Sequence, residues 1–152
     1  MNALRLASAV ALGLLAGALS LEGFVLVPYW RSLRPEAFVD RHEGFAPRLY
    51  RFFAPLTAVA TSLALVAGLA VGWRDQRVRA DWFTVASAAL AVSLLALYRI
   101  YFHSANRRLP QLAATNAEDA LSAELRRWHS IHQSRTLVSV AAFVLALLGL
   151  SG

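Results

Sequence analysis

Two sets of three polar residues share the same helical spacing. Within each set the residues are four and then three positions apart, which places their side chains on one face of a helix. The sets are Trp128, His132 and Arg135, and Arg99, His103 and Asn106. An imidazole can serve as a general base, while a guanidinium and an amide can hold negative charge that develops on an oxygen. Two such faces at the same depth in a membrane predict a site between the two helices that carry them.

Glu22 interrupts an otherwise uncharged run, residues 6–30. By helical rise it lies about 13 Å below the end of that run at Arg31. A carboxylate at that depth is expected to face the interior of a bundle and to find a polar partner there. The candidate partners are Arg135, Arg99 and Arg48.

Four charge-poor runs supply the helices that must position these residues. They predict membrane spans over about 6–30, 52–73, 82–102 and 133–151. At a rise of about 1.5 Å per residue, these lengths roughly match a hydrocarbon core about 30 Å thick. The predicted fold class is therefore all-α, an integral membrane four-helix bundle, with residues 1–152 forming one transmembrane domain. The first run also fits a cleavable secretory signal, although its apolar pattern resumes after Glu22 and favours a full span.

Composition narrows the function classes. The chain has 152 residues, is 58% apolar and contains no cysteine, which excludes disulfides, thiolate metal sites and thiol catalysis. Its net charge of +6 comes from arginines. These cluster at the ends of the predicted spans, where membrane proteins normally carry them, so nucleic acid is not a predicted partner. Eleven of the 15 arginines fall on one side, which the positive-inside rule places in the cytoplasm. We expect a multi-pass protein of the bacterial inner membrane.

The ends of spans one and three and the starts of spans two and four meet on this arginine-rich side, which we name the site face. Its first connection carries Pro35 and Pro47 at positions that suit the first turn of a helix, and it predicts a short surface helix before span two. The second connection is expected to turn through Pro110. Thr115, with Glu118 three residues on, fits a capping box that opens the last helix, which then runs unbroken into span four.

Small residues predict that the bundle is pinched at the opposite end. Gly13 and Gly17 in span one, and Gly68 and Gly72 in span two, are pairs that let helices approach closely. Chance spacing in a chain rich in alanine and glycine explains the pairs equally well. If they do pack, the helices splay toward the site face.

Aromatic residues are concentrated at the site face, where twelve of the sixteen lie. Aromatic belts normally form at both membrane interfaces, so the asymmetry predicts a pocket for a flat apolar ligand. His42 and His129 are interpreted as solvated. The aromatic candidates for the pocket wall are Phe24, Tyr29, Trp30, Tyr50, Phe52, Phe53, Tyr98, Tyr101, Phe102 and Trp128.

Several short motifs occur in the order found in one known family. They are Glu22-Gly23-Phe24 with Pro28, a basic and aromatic segment around Arg48, Asn106 followed by Leu109, and Trp128-x3-His132-x2-Arg135 before the last span. In these motifs the chain resembles, over essentially its whole length, the small four-span membrane proteins related to anthrone oxygenases. The resemblance implies insertion of dioxygen into a polycyclic phenolic anthrone, with no metal or organic cofactor.

The same resemblance implies a division of roles. His132 would be the base, and Arg135 would hold the phenolate or enolate. Asn106 would donate a hydrogen bond to the same oxygen. Glu22 would orient the histidine or the arginine, or balance its charge. Alanine at His132 or Arg135 would then abolish turnover with little change in unfolding. His103 and Arg99 depart from the family pattern. The ligand-binding residues would be Trp128, His103, Arg99, Tyr98, Tyr101, Phe24, Tyr29 and Arg48.

Other functions fit the same residues. His103 and His132 could ligate a haem between two helices. Glu22, His129 and the same two histidines could bind copper, iron or zinc, although their spacing matches no recognised ligand motif. A polar pocket could also hold a lipid or another hydrophobic ligand without catalysis. The expected partners are a hydrophobic aromatic or lipid-like small molecule and membrane lipids, and a homo-oligomer is compatible with the chain.

Overall fold

Four long helices make up the described part of the protein. The computed structural model describes residues 3–71, 78–115 and 117–151, and no β-strand occurs in these ranges. Helix α1 spans Ala3–Arg31 and contains a π-helical turn at Glu22–Leu26. Helix α2 spans Pro35–Val71 and helix α4 spans Glu118–Leu148. Helix α3 consists of Val78–Leu97, a π-helical turn at Tyr98–Phe102, and His103–Ala114.

All four helices are long and apolar enough to cross a membrane. Each packs against its neighbours in the chain, and α1 packs against α4 to close the ring. The chain is thus a multi-pass integral membrane protein, and the prediction of an all-α four-helix bundle is confirmed.

The first connection differs from its prediction. Helix α2 does begin at Pro35, but it continues through Pro47 and Pro55 to Val71 instead of forming a separate surface helix. Both internal prolines lie on the exposed side of the helix. A proline removes one backbone hydrogen bond and bends the helix, and on that side the bend displaces no core residue.

The second connection corrects two further expectations. Helix α3 continues through Pro110 as far as Ala114, so the chain does not turn there. Thr115 closes α3, because its hydroxyl donates to the carbonyl oxygen of Gln111 at 3.1 Å. Helix α4 has Ala117 at its N-cap and no capping hydrogen bond from that side chain, so the capping box is wrong. From Glu118 the helix runs unbroken through the fourth span, as predicted.

Close helix contacts gather at the end of the bundle away from the site face, which we name the small-residue end. A Cβ added at Gly68 would lie 3.0 Å from the Cβ of Ala88, and one added at Gly13 would lie 2.9 Å from the Phe143 ring. The hydroxyl of Ser87 donates to the carbonyl oxygen of Ala142 at 2.8 Å. Glycine, alanine and serine thus bring the helices together here.

The glycine pairs of the sequence are only partly used. Gly17 faces open space, with nothing within 4 Å of an added Cβ, so its predicted role in close packing is wrong. Gly72 lies outside the described residues.

The opposite end of the bundle, toward the site face, has a core of large rings, and we name it the aromatic end. Trp30, Phe38, Phe102 and Trp128 are buried there, together with aliphatic residues of α3 and α4. Successive ring centroids in this set lie within about 6 Å of one another, in a continuous chain of edge contacts. These bulky side chains keep the helices apart, and a cavity opens between them.

Candidate functional site

A cavity of about 410 Å³ lies among all four helices at the aromatic end. This volume falls within the range typical of small-molecule sites. Most of its wall is aliphatic or aromatic, with a few polar groups. The polar and aromatic residues that line it are Glu22, His42, Tyr50, Phe53, Thr57, Tyr98, Arg99, Phe102, Asn106, Trp128, His132 and Arg135.

Glu22 and Arg135 form a buried ion pair across α1 and α4. An Nη atom of Arg135 donates to a carboxylate oxygen of Glu22 at 2.9 Å, and Glu22 is only 5% exposed. The guanidinium also lies over the Phe102 ring, 4.8 Å from its centroid. The Nε atom of Arg135 is buried and has no hydrogen-bond partner within the described protein. The predicted burial and pairing of Glu22 is confirmed, and Arg135 retains an unused donor.

His132 lies next to this pair and is fully buried. Its imidazole stacks on Trp128, with ring centroids 5.4 Å apart and planes 14° from parallel. Neither ring nitrogen has a hydrogen-bond partner in the described protein. The nearest carboxylate oxygen, on Glu22, lies 3.8 Å from Nε2, which is too long for a hydrogen bond. Because burying an unpaired polar group is costly, these nitrogens suit a partner that comes from outside the protein.

Asn106 fixes the ring against which His132 stacks. The indole Nε1 of Trp128 donates to the side-chain oxygen of Asn106 at 3.0 Å. Asn106 thus joins α3 to α4 and positions Trp128, and it is itself a lining residue of the cavity.

Both π-helical turns lie at the level of the ion pair. One begins at Glu22, and the other covers Tyr98–Phe102, which includes three cavity residues. A π-turn inserts an extra residue and shifts the face that follows it, and such turns are frequent at functional sites. Next to Glu22, a Cβ on Gly23 would lie only 2.9 Å from the hydroxyl oxygen of Thr136. Glycine therefore lets α1 approach α4 where the ion pair crosses between them.

A family model for anthrone oxygenase matches residues 47–145, well over half of the chain. The chain belongs to the anthrone oxygenase family. The matched region contains Asn106, Trp128, His132 and Arg135, whereas Glu22 lies before it. No curated protein and no solved structure matches the chain.

Of the site residues predicted from the sequence of this anthrone oxygenase family member, seven line the cavity and five do not. The seven are Glu22, Tyr98, Arg99, Asn106, Trp128, His132 and Arg135. The five outside it are Phe24, Tyr29, Arg48, Tyr101 and His103.

The five that lie outside have other environments. Phe24 is 76% exposed on the outer surface. Tyr29 accepts a hydrogen bond from Arg41, and Arg48 is exposed beside Phe45. Tyr101 is buried, and its hydroxyl donates to Glu124 at 3.2 Å.

His103 is exposed, because the π-turn before it breaks the regular spacing from Arg99. His103 and His132 therefore do not line one common cavity, which haem ligation between α3 and α4 would require. In the described residues, no group of three or more His, Cys, Asp or Glu side chains could hold a metal ion. The haem and metal interpretations therefore lack an assembled ligand set in the described parts of the chain.

His42 is a cavity residue that the sequence interpretation missed. It is buried rather than solvated, and it stacks on Phe38 at a centroid distance of 5.2 Å. The missed signal is the unbroken face of α2, on which His42, Ala46, Leu49 and Phe53 recur every three or four residues. His129 is also not fully solvated, since it is half-buried and its Nε2 is buried without a hydrogen-bond partner.

Proposed function

We propose that this protein is a membrane oxygenase that acts on a flat phenolic small molecule of the anthrone type. The observation that carries the proposal is the fully buried imidazole of His132, a residue that lines a cavity with aromatic walls and whose ring nitrogens have no partner in the described protein. Membership of the anthrone oxygenase family supports the reaction class. The expected setting remains the bacterial inner membrane, with the site face toward the cytoplasm.

The substrate rings would lie in the cavity between α2 and α3. Phe53, Tyr98 and Phe102 supply flat apolar surface from these two helices. Rings of this kind favour offset or edge contacts with other aromatic rings. An aromatic environment that excludes water from the reacting carbon would also strengthen the electrostatic interactions around it.

His132 would remove a proton from the substrate carbon that lies between the rings. The resulting imidazolium would lie 3.8 Å from the Glu22 carboxylate, which would offset its charge. The negative charge left on the substrate is delocalised onto its carbonyl oxygen. The unused Nε–H of Arg135 and the amide NH₂ of Asn106 are the donors available to hold that oxygen.

Dioxygen would then react with the carbanion. The carbanion transfers an electron to dioxygen, and recombination of the two radicals forms a carbon–oxygen bond and a peroxide anion. The His132 imidazolium returns its proton to this anion, which gives a hydroperoxide. Loss of the second hydrogen from that carbon as a proton breaks the oxygen–oxygen bond and releases water. The balance is one methylene and one dioxygen converted to one carbonyl and one water, with the substrate oxidised and dioxygen reduced.

The test is oxygen uptake by the protein reconstituted in nanodiscs with a dihydroxyanthrone. We expect His132→Gln to lower the catalysed rate by about 100-fold or more, the usual contribution of a positioned base. The matched control is His103→Gln, because His103 is an exposed histidine outside the cavity. Its rate should equal that of the unaltered protein.

Two outcomes would overturn the proposal. One is a His132→Gln variant that folds normally and oxidises the substrate at an unchanged rate. The other is an unaltered protein that binds the anthrone without catalysed oxygen uptake, which would favour a ligand-binding protein without catalysis.

A further inference from the structure

The cavity is longer than a fused three-ring system. Along α2 its lining runs from His42 to Ala58, about 24 Å by helical rise. Three linearly fused rings extend about two helical turns, or roughly 11 Å. A ring system placed beside His132 therefore leaves about half of the cavity length unfilled.

The unfilled half is apolar. It lies on the side of Glu22 and Tyr98 that leads toward the small-residue end, because its lining residues precede these two on α1 and α3 and follow Phe53 on α2. Thr57 is the one polar residue on the described wall of this half, which is otherwise formed by Leu15, Leu19, Ala54, Ala58, Leu94 and Leu95. A hydrocarbon chain matches this lining, whereas a second polar ring does not.

This half also opens sideways, between α2 and α3. Leu95 on α3 lines this half while remaining 41% exposed, and Ala58 on α2 lines it and is exposed as well. Leu95 belongs to the uncharged run of the third span, so its exposed side faces lipid. Deeper in the membrane the two helices close again, where the hydroxyl of Thr61 donates to the carbonyl oxygen of Ala91 at 3.3 Å. The opening therefore connects the cavity with the bilayer.

We infer that the ligand of this site is an amphiphile with a phenolic ring head and a hydrocarbon chain, which enters from the bilayer between α2 and α3. The head lies at Glu22, His132 and Arg135, and the chain lies along Ala54, Ala58 and Leu94. The phenolic character of the head rests on the proposed function. The chain and its route rest on the length, lining and opening of the cavity.

The experiment uses photo-crosslinking, which needs no turnover. The probe is 1-naphthol that carries a decyl chain with a terminal diazirine, added to the full-length protein in nanodiscs. We expect labelled peptides from α2 around Ala58 and from α3 around Leu94, and competition by unlabelled decyl-naphthol. A chain that merely dissolves in the bilayer would instead label lipid-facing residues of every helix.

Matched variants make the test specific. Ala58→Phe places a ring in the path of the chain, and Leu95→Trp does so from the other side of the opening. Overpacking of this kind should reduce the site-specific labelling about tenfold or more. Val59→Phe is the control, since Val59 is a neighbouring exposed residue outside the cavity, and it should label like the unaltered protein.

Equal labelling of Ala58→Phe and Val59→Phe would overturn the inference, and so would the absence of any competed labelling. Competed labelling would be absent if a phospholipid chain permanently filled the apolar half of the cavity. The proposed function is tested separately. Competed labelling without oxygen uptake would reject the oxygenase proposal and support the amphiphile site. Turnover of a chainless anthrone without competed labelling would support the oxygenase proposal and reject the amphiphile site.

Discussion

The two ends of this bundle solve the packing of four apolar helices in opposite ways. At the small-residue end, Gly68 faces Ala88 and Ser87 bonds to the backbone of α4, so the helices nearly touch. At the aromatic end, rings such as Trp128 and Phe102 hold the helices apart around a cavity. Lipid provides little hydrophobic drive for helix association, so close van der Waals contact must hold the bundle together. The small-residue end supplies that contact, which leaves the other end free to hold a ligand.

The difference extends to charge. The aromatic end buries an ion pair, Glu22 with Arg135, and the unpaired imidazole of His132. Buried charges contribute little net stability, because the loss of water offsets their attraction. Buried charged and polar groups of this kind, when they lie beside a cavity, are typical of a functional site.

The largest expected effect comes from breaking the ion pair on one side only. Arg135→Met leaves the Glu22 carboxylate buried without its partner, and it should lower the free energy of unfolding by about 3–5 kcal/mol. The sequence alone predicted that replacing Arg135 would leave unfolding nearly unchanged, and the geometry of the pair reverses that expectation. Unfolding titrations with SDS in mixed micelles would measure the loss.

Two controls separate charge from packing in that experiment. The double variant Glu22→Gln with Arg135→Met should recover most of the lost stability, since no buried charge is then unpaired. Arg48→Met removes an exposed arginine outside the cavity and should change little. If Arg135→Met unfolds like the unaltered protein, the ion pair does not stabilise the aromatic end.

An intermediate effect is expected at the small-residue end. Gly68→Ala adds a Cβ 3.0 Å from the Cβ of Ala88, so α2 and α3 must shift, at a cost of about 1–3 kcal/mol. Gly17→Ala is the matched control, because its added Cβ meets open space, and it should be neutral or stabilising by about 0.5–1 kcal/mol. The same SDS titration compares the two. Equal effects would mean that close packing at Gly68 is not what holds this end together.

The sequence predicted those features that depend on helix number and on depth in the membrane. The four spans follow from charge-poor runs, and the pairing of Glu22 follows from the cost of a carboxylate at its depth. Trp128, His132 and Arg135 could be placed on one face because α4 is a regular helix from Glu118 to Leu148.

The failures have local backbone causes. His103 was misplaced because a π-helical turn at Tyr98–Phe102 changes the helical period just before it. His42 was missed because Pro47 suggested a break between a surface helix and span two, in a segment that is in fact continuous helix. The π-turn leaves no periodic signal in the sequence. The face of α2 that carries His42 does leave one, but the tolerance of this helix for proline depends on contacts with the other helices.

The smallest expected effect comes from an ion pair at the rim of the aromatic end. Arg108 donates to Glu124 at 3.0 Å, but the arginine side chain is half exposed. Exposed pairs contribute about 0–1 kcal/mol and are screened by salt. Arg108→Gln should therefore lower the free energy of unfolding by less than about 1 kcal/mol. Glu124 also keeps its hydrogen bond from Tyr101.

Repeating the titration at two salt concentrations sharpens the contrast with Arg135. The small effect of Arg108→Gln should shrink as salt rises, whereas the effect of Arg135→Met should persist, because the buried pair is shielded from ions. A loss at Arg108 as large as that at Arg135 would show that the rim network, rather than the buried pair, stabilises the aromatic end. In that case Glu22 and Arg135 would be free to serve the ligand, and removing either should then affect oxygen uptake far more than unfolding.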